Sequence, residues 1–328
     1  MPGILILQLK RIGDAILTAP VLGSLRAAWP DRPLHLVLAG VAGKLGPLFS
    51  MADDVLTWEP GGLNLPLLHR VSTLRPDMVL DFTGTDRSAF LALVSGAPVR
   101  AGYAKAAQGV LRRPVCNVIC QAAVRQCHTI DYHHALPQAA GLRVPPGADA
   151  GHLHLPAGLG LPTLPQRYIL IHPGSAREEK FWPARQWSHL LDHLHARHGL
   201  PLVMTGGDWE FERNHLREIL SGTTAPVLNL QGKIHLLQLA GVVARAHLAI
   251  TVDTAAMHLA ASFSVPQVAL FGPTNPWHWA PRHARCVVLH AGIPLGVALH
   301  PKQTGSDMAG LAWPVVAGQT DQLLRSLG

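Results

Sequence analysis

Residues 248–274 read LAITVDTAAMHLAASFSVPQVALFGPT, in which apolar runs alternate with short polar turns. The apolar runs Leu248–Val252 and Gln267–Phe271 predict two buried strands with a short helix between them. The first turn places the Asp253 carboxylate and the Thr254 hydroxyl where this helix begins. Free N–H groups and the positive end of the helix dipole favour a bound phosphate there. The stretch therefore predicts a parallel sheet with a phosphate-bearing ligand at its carboxyl end.

The short helix after this turn begins with two small residues. Ala255 and Ala256 let the backbone come close to a ligand. His258 faces either the core or the ligand, and a lone helical histidine is more often a packed residue. In the following loop, Trp277 and Trp279 either stack on a sugar or base or cover the edge of the core. The sequence leaves both alternatives open.

The composition predicts a globular chain of two domains. The chain has 328 residues, of which 48% are hydrophobic, enough for two cores of ordinary size. No uninterrupted apolar run reaches the ~18 residues that a membrane-spanning helix needs. The strand pattern Ile4–Leu7 begins almost at once, without the layout of a signal peptide, so a cytoplasmic location is expected.

The charge predicts an anionic partner. The net charge is +7 although only 14% of the residues are charged. Phosphate ligands, acidic lipid headgroups and nucleic acid all fit this excess. No Lys/Arg block contains interleaved aromatic residues, so nucleic acid is not expected as a partner.

Four cysteines are too few for a disulfide scaffold. Cys116, Cys120, Cys127 and His128 form C-x3-C and C-x6-C spacings without a CxxC pair. Reduced thiols are favoured over a zinc site, and no metal site is predicted.

Strand and helix patterns alternate along both halves of the chain. Strands are predicted at Ile4–Leu9, Leu34–Leu38, Val55–Trp58, Met78–Phe82, Tyr168–His172, Leu200–Thr205, Val227–Leu230, Leu248–Val252 and Gln267–Phe271. The main helices are predicted at Ala15–Trp29, Ala184–His198, Glu210–Leu220, Leu236–Ala244 and Thr320–Leu327. This alternation is typical of an α/β fold with doubly wound parallel sheets.

Two Rossmann-like domains that face a central cleft are the expected architecture. The first domain spans residues 1–150 and the second spans residues 168–305. Residues 151–167 are dense in Pro and Gly and are predicted to be the linker. Residues 306–328 form a C-terminal segment, and the loop-like part at 291–318 receives no predicted role.

The turn after the first predicted strand, Lys10–Pro20, contains Gly13 but no G-x-G-x-x-G motif. The missing fingerprint disfavours an enzyme that uses a nicotinamide cofactor. Asp14 stands where the first helix begins. It either caps that helix or acts as a general base at the carboxyl end of the sheet, and its position alone favours the cap.

Two turns of the second domain carry polar groups beyond predicted strands. Ser175 and Lys180 lie in the first turn, where they suit a diphosphate, although acidic neighbours equally fit a solvated charged loop. In the second turn, glycines precede Glu210 and Glu212. These carboxylates either bind ribose hydroxyls or complement a helix N-terminus, and the acid-rich first turn favours the latter.

Taken together, the motifs resemble glycosyltransferase family 9, the bacterial heptosyltransferases of lipopolysaccharide core synthesis. Four segments carry the resemblance in the right order and span nearly the whole chain. They are Arg11–Pro20, His172–Pro183, Gly206–Glu212 and Asp253–Thr274. The resemblance implies a GT-B fold, in which the first domain takes the acceptor and the second takes an ADP-activated sugar. It also implies that the final helix packs back on the first domain.

The resemblance assigns roles to individual residues. Asp14 becomes the candidate general base, which reverses the preference for a cap. The donor diphosphate falls to Ser175, Lys180, Thr254 and Ala255, the ribose to Glu212 or Glu210, and the donor sugar to Asp253 and His258, while Lys10, Arg11 and Gly13 lie on the acceptor side. The chain departs from the family pattern at Ala176, where a hydroxyl is common, and at Ala255, where glycine is common.

The implied reaction is an inverting transfer of heptose, or a related sugar, from an ADP-sugar to a phosphorylated, lipid-linked core oligosaccharide. No metal or other cofactor is expected, because protein donors can neutralise the diphosphate. Peripheral contact with the anionic inner face of the inner membrane is also expected, through basic residues of the first domain. The candidates are Lys10, Arg11, Arg100, Lys105, Arg112 and Arg113. The alternatives are a nucleotide-sugar-binding protein on the same fold without catalysis and a nucleotide-sugar epimerase.

Overall fold

The computed structural model describes residues 2–104, 109, 112–144 and 153–328. The chain divides into two compact units, Met1–Pro156 and Ala157–Gly328. Lys105, one of the candidate basic residues, lies outside the described residues, and so do residues 145–152 of the predicted domain boundary. Neither helix nor strand occurs in residues 153–167, and their role as a linker stays a prediction.

The first unit contains one parallel six-stranded sheet. Its strands are β1 (Ile4–Gln8), β2 (Leu34–Ala39), β3 (Asp54–Trp58), β4 (Met78–Asp81), β5 (Val99–Tyr103) and β6 (Val118–Cys120). Its helices are α1 (Ile12–Ile16), α2 (Ala19–Ala28), α3 (Leu65–Leu74), α4 (Asp86–Val94) and α5 (Thr129–Ala139), with a 3-10 helix at Gly40–Leu48. The strand order is β3-β2-β1-β4-β5-β6, so the chain crosses over between β1 and β4.

The second unit repeats this topology. Its strands are β7 (Ile169–His172), β8 (Leu202–Met204), β9 (Val227–Asn229), β10 (Leu248–Val252), β11 (Gln267–Phe271) and β12 (Cys286–His290), in the order β12-β11-β10-β7-β8-β9. Its helices are α6 (Ala184–His198), α7 (Glu210–Ser221), α8 (Leu236–Ala244), α9 (Ala255–Ser262), α10 (Pro276–Trp279) and α11 (Trp313–Leu327), with 3-10 helices at Glu178–Lys180 and Met308–Gly310. Both sheets are therefore doubly wound and parallel, which confirms the predicted α/β class.

The central strands form the cores because both of their faces are covered by helices. Every residue of β1, β10 and β11 is buried. Such near-continuous apolar strands are expected in parallel sheets, because both faces are shielded from water. The polar side chains near these strands are therefore concentrated in the turns at the strand ends.

The helix predicted over Ala15–Trp29 is instead two helices, α1 and α2. Pro20 lies near the start of α2 and has no N–H with which to continue α1. The Thr18 hydroxyl bonds back to the Asp14 carbonyl at 2.9 Å, across the junction. This break separates a short helix, which carries Asp14, from the longer helix that packs on the sheet.

Three strands, β5, β6 and β12, were not predicted. β5 contains Arg100 and Gly102, which interrupt the apolar pattern, and β6 has only three residues. Helix α11 begins at Trp313 rather than at Thr320, because Pro314 fits its first turn. The apolar face of α11 joins the core of the second unit. Its expected packing on the first unit stays a prediction.

Candidate active site

An ion pair stands at the crossover of the second sheet. Lys180 follows β7 and Asp253 follows β10, the two adjacent strands between which the chain reverses its winding direction. The Lys180 Nζ lies 2.6 Å from Asp253 Oδ2 and donates a 3.2 Å hydrogen bond to the Asp253 carbonyl. Their side chains are only 14% and 7% exposed. Ligands of doubly wound sheets gather at this crossover, so the pair occupies the expected place for a ligand-binding site.

Thr274 completes this cluster from the end of β11. Its hydroxyl donates a 2.7 Å hydrogen bond to the same oxygen, Asp253 Oδ2. The sequence placed Thr274 in the matching segment but gave it no role. Its position after the neighbouring strand, in the turn Gly272-Pro273-Thr274, was the available signal.

The charged side chains at the end of this loop point either to the protein surface or into the site. Arg177 forms an ion pair with Glu179 at the protein surface. Lys180, at the end of the 3-10 helix, turns inward to Asp253. The surface ion pair fits the alternative of a solvated charged loop, whereas a diphosphate-binding role for Lys180 stays a prediction. Ser175 is buried, and its Oγ accepts a 3.3 Å hydrogen bond from the Arg177 N–H, which shapes the turn.

Helix α9 begins directly after Asp253. Thr254 is its N-cap residue with an extended backbone, and its side chain makes no capping hydrogen bond. Ala255 is the first helical residue, as the sequence predicted. His258 is buried on this helix, and burial lowers its pKa to about 4, although the nearby Asp253 charge acts in the opposite direction. A neutral imidazole therefore lies beside the Lys180–Asp253 pair at neutral pH.

A buried carboxylate, Glu212, lies beside three glycines. Its Oε1 accepts a 2.7 Å hydrogen bond from the Gly207 N–H. A Cβ atom added to Gly174 would lie 1.7 Å from Glu212 Oε1, and one added to Gly207 would lie 2.5 Å from Oε2. Burial raises the pKa of Glu212, while the Gly207 N–H lowers it.

The glycines after β7 and β8 thus make room for this carboxylate at the end of the sheet. Glu210, the other predicted candidate, is exposed at the first residue of α7. Of the two, only Glu212 lies against the backbone next to Ser175.

Asp14 lies in the first turn of α1, just beyond β1. The N-cap residue of α1 is Arg11. The prediction that Asp14 caps this helix is therefore wrong. Burial raises the pKa of Asp14, against the opposing effects of the Lys10 charge and of the Arg11 N–H. A half-buried carboxylate of raised pKa next to a crossover has the properties of a general base.

The predicted acceptor residues surround Asp14. Lys10 is half-buried, and its charge lowers the pKa of Asp14. Arg11 is exposed, and the Gly13 carbonyl accepts the Leu17 N–H at 2.9 Å within the turn. Among the more distant candidates, Arg100 donates to the carbonyls of Val115 and Ala97, and Arg112 donates to that of Gly84 and pairs with Asp86. These two arginines hold loops together.

Sequence reasoning missed a buried carboxylate in the first unit, Asp81, at the end of β4. Its Oδ1 accepts the N–H groups of Thr83 (2.8 Å) and Gly84 (3.0 Å), and its Oδ2 accepts the Ser88 hydroxyl at 2.7 Å. The aspartate at the end of an apolar run was the signal. These three donors show that Asp81 organises the loop after β4.

The sequence also singled out Trp279, several cysteines, and the absence of a metal site and of a membrane span. Trp279 packs against Met257 and Phe271 at the edge of the core. Cys116, Cys120, Cys127 and Cys286 take part in no disulfide, and burial raises the pKa of Cys116 to about 11. Within residues 2–104, 109, 112–144 and 153–328, no group of three or more His, Cys, Asp or Glu residues is placed to hold a metal ion. In the same part of the chain, no helix has the length and hydrophobicity to cross a bilayer.

Comparison with known proteins identifies relatives of similar sequence. Lipopolysaccharide heptosyltransferase 3 of Escherichia coli is 34% identical over 137 residues, which cover 42% of this chain and 38% of that protein. The protein of the same name from E. coli K12 is 23% identical over 308 residues, 85% of each chain. The chain thus spans less than two thirds of the first relative and most of the second.

Two solved structures share the fold over nearly their full length. The E. coli ADP-heptose lipopolysaccharide heptosyltransferase II has a TM-score of 0.80 at 20% identity and covers 99% of both chains. The E. coli heptosyltransferase WaaC with ADP has a TM-score of 0.76 at 21% identity and covers 98% of this chain and 99% of that chain. The fold is therefore that of the GT-B glycosyltransferases.

A match to a family model, together with this fold, defines the class as a glycosyltransferase. The model of glycosyltransferase family 9 (heptosyltransferase) matches residues 66–299, more than half of the chain. The chain belongs to glycosyltransferase family 9.

Proposed function

We propose that this chain transfers heptose, or a related sugar, from an ADP-sugar to a phosphorylated, lipid-linked core oligosaccharide of lipopolysaccharide. The observation that carries the proposal is the Lys180–Asp253–Thr274 cluster at the crossover of the second sheet. A cation and hydroxyl donors favour a bound diphosphate, and a fixed carboxylate accepts hydrogen bonds from sugar hydroxyls. A heptosyltransferase of the same fold was solved with ADP, and related family members are named as lipopolysaccharide enzymes, which supports the choice of substrates.

Each donor group has a proposed partner in the second unit. Lys180, the Ser175 and Thr254 hydroxyls and the backbone of Ala255 would bind the diphosphate, because they offer positive charge and hydrogen-bond donors. Asp253 would accept sugar hydroxyls, with the buried neutral His258 beside it. Glu212 would accept the ribose hydroxyls, since its carboxylate is fixed by the Gly207 N–H.

The reaction is a single displacement. An acceptor hydroxyl attacks the anomeric carbon opposite the diphosphate, and a new C–O bond forms as the bond to the diphosphate oxygen breaks. ADP leaves with that electron pair, and Asp14 takes the hydroxyl proton. Because the attack comes from the side opposite the leaving group, the anomeric centre is inverted. Lys180 and the α9 N-terminus stabilise the negative charge that develops on the leaving group. No metal or other cofactor takes part in this proposal.

Calorimetric titration with ADP in the presence of a chelator tests the donor class, with UDP, GDP and NAD as controls. Selective ADP binding is expected, and a preference for another nucleotide would overturn the assignment. A product assay with and without a truncated core acceptor then separates transfer from epimerisation. Conversion of an ADP-sugar without any acceptor would favour the epimerase instead.

A further inference from the structure

The short helix α1, which carries Asp14, ends only two residues after it. In a continuing α-helix, the Asp14 carbonyl would accept the N–H of the residue four positions later, Thr18. That N–H bonds instead to the Ala15 carbonyl at 3.1 Å. The Thr18 side chain takes its place, because its hydroxyl donates to the Asp14 carbonyl at 2.9 Å. A side chain therefore ties the backbone of Asp14 to the junction between α1 and α2.

A buried amide anchors the Thr18 hydroxyl to an interior strand of the sheet. Gln8, the last residue of β1, is fully buried, and its Nε2 donates to Thr18 Oγ1 at 2.9 Å. The same nitrogen lies 3.5 Å from the Asp14 carbonyl, which can only accept, so the nitrogen side of the amide faces the junction. The hydrogen bonds thus run in one direction, from Gln8 through Thr18 to Asp14, and bonds in such a chain strengthen one another.

A histidine from α5 holds the same junction. His133 is buried, and its Nδ1 lies 3.1 Å from the Leu17 carbonyl and 3.5 Å from Thr18 Oγ1. Burial lowers the pKa of His133 to about 3, so the ring is neutral at physiological pH. Because a carbonyl only accepts, the N–H of this neutral ring is on Nδ1 and donates to Leu17. The turn after Asp14 is therefore held both from the sheet and from a neighbouring helix.

The polar residues of this network occupy positions where packing alone favours apolar ones. The other four residues of β1 are Ile or Leu, and Gln8 and Thr18 are as fully buried as they are. Burial of an amide and a hydroxyl costs free energy unless both are hydrogen-bonded, whereas an apolar side chain carries no such cost. The bonds that these two groups make, which end on the backbone of Asp14, account for their presence.

We propose that Thr18, anchored by Gln8, is a positioning residue for Asp14, on the basis of the proposed role of Asp14 as the general base. A base must lie within hydrogen-bond reach of the proton that it takes. Helix α1 has only five residues, too few to fix its own direction by internal hydrogen bonds. The Thr18 hydroxyl fixes it from β1, and because it bonds to the backbone carbonyl it occupies no oxygen of the carboxylate.

Two substitutions at one position test the proposal. Thr18→Val removes the hydroxyl and keeps the branched shape, whereas Thr18→Ser keeps the hydroxyl. Thr320→Val is the matched control, because Thr320 is also fully buried and its hydroxyl donates to a carbonyl four residues earlier, at 2.7 Å. Gln8→Met removes the anchoring amide. For each variant, the rate of a single turnover is measured with ADP-heptose and a truncated core acceptor, and ADP affinity is measured by titration calorimetry.

Thr18→Val should slow the single turnover by about tenfold or more, since a displacement of about 1 Å at a reacting group can cost about a hundredfold. Its ADP affinity should equal that of the wild type, because the donor binds the second unit in the proposed reaction. Thr18→Ser should restore most of the rate, and Gln8→Met should also slow transfer. Thr320→Val should transfer at the wild-type rate with a loss of thermal stability similar to that of Thr18→Val.

A double variant decides whether Thr18 acts through Asp14. In Asp14→Asn the base is already gone, so the addition of Thr18→Val should slow transfer no further. The same fold loss in both backgrounds would overturn the proposal, because Thr18 would then act independently of Asp14. A wild-type rate in Thr18→Val would also overturn it, and so would a loss of rate no greater than that of Thr320→Val.

The single variants separate the positioning role from the base assignment. Slow transfer by Asp14→Asn together with normal transfer by Thr18→Val would overturn the positioning role alone. Normal transfer by Asp14→Asn would overturn the base assignment, and the positioning role with it. If Thr18→Val does not fold, Gln8→Met replaces it in the same comparison with Asp14→Asn, and the same outcomes decide.

Discussion

The Lys180 ammonium lies 2.6 Å from the Asp253 carboxylate, across the crossover of the second sheet. Each side chain is almost buried, so each depends on the other for its charge balance. In the proposed reaction, this pair also positions a cation for the diphosphate and a carboxylate for the sugar. Binding and stability are therefore expected to respond together when the pair is broken.

Lys180→Ala should weaken ADP binding and lower turnover, because the diphosphate loses its cation. It should also lower the free energy of unfolding by about 3 kcal/mol, since removal of one partner leaves a buried charge unpaired. Titration calorimetry and denaturant unfolding measure the two effects. Lys233→Ala, which removes an exposed ammonium, is the control, and an unchanged ADP dissociation constant in Lys180→Ala would remove Lys180 from the phosphate site.

Asp14→Asn should abolish nearly all turnover while ADP affinity stays close to that of the wild type. Burial raises the pKa of Asp14, so its charged form is costly in the folded state at neutral pH. That cost begins to fall as the pH drops to the folded pKa and is gone below the unfolded value of about 3.9. The free energy of unfolding of Asp14→Asn at neutral pH should therefore equal or exceed that of the wild type. A parallel loss of stability and ADP binding would instead indicate a structural role.

The pH profile gives a second test of Asp14. A base must be deprotonated, so kcat/KM should fall as the pH is lowered through the pKa of Asp14. Because burial raises that pKa, the fall should occur at a higher pH than the value of about 3.9 for an ordinary aspartate. The residual kcat/KM of Asp14→Asn should not show this fall at low pH. The same fall in the variant would mean that another group titrates there.

Gly174→Ala should displace the Glu212 carboxyl group, because the added Cβ would lie 1.7 Å from Oε1 and 2.5 Å from Cδ. ADP affinity should then fall, as in Glu212→Ala. Gly318→Ala is the matched control, since its Cβ meets no atom within 4 Å and the residue is helical. This control should raise stability by about 0.5–1 kcal/mol. Normal ADP binding in Gly174→Ala would argue against a nucleotide role for Glu212.

Asp321 should fasten α11 to α6. Its carboxylate accepts from His198 at 2.7 Å and from His193 at 3.1 Å, and it pairs with Arg197 at 3.0 Å. Burial raises the pKa of Asp321, but the bonds from His198 and His193 outweigh burial and hold the pKa below its usual value.

Because the folded pKa of Asp321 is lowered, its contribution to the free energy of unfolding is complete above the unfolded value of about 3.9. That contribution is lost as the pH falls through the folded pKa. Asp321→Asn should therefore be less stable than the wild type at neutral pH, and the difference should narrow in acid. Denaturant unfolding across this range measures it, with the exposed Asp31→Asn as control.

Much of the fold was predictable because buried parallel strands are continuous apolar runs. Leu248–Val252 and Gln267–Phe271 were predicted with the bounds that the structure gives them. β5 and β6 were missed because Arg100 and Gly102 interrupt one and the other is only three residues long. Such strands form because neighbouring strands offer hydrogen bonds, and a local pattern does not contain that information.

The sequence by itself determined the class of fold, the family motifs and the turns in which polar groups follow strands. Only the tertiary structure decided which of those groups meet. It paired Lys180 with Asp253 and Thr274, turned Arg177 to the surface, buried Glu212 and left Glu210 exposed. The physical reason is that strand order places distant turns side by side. Burial and hydrogen bonding then depend on those neighbours rather than on position along the chain.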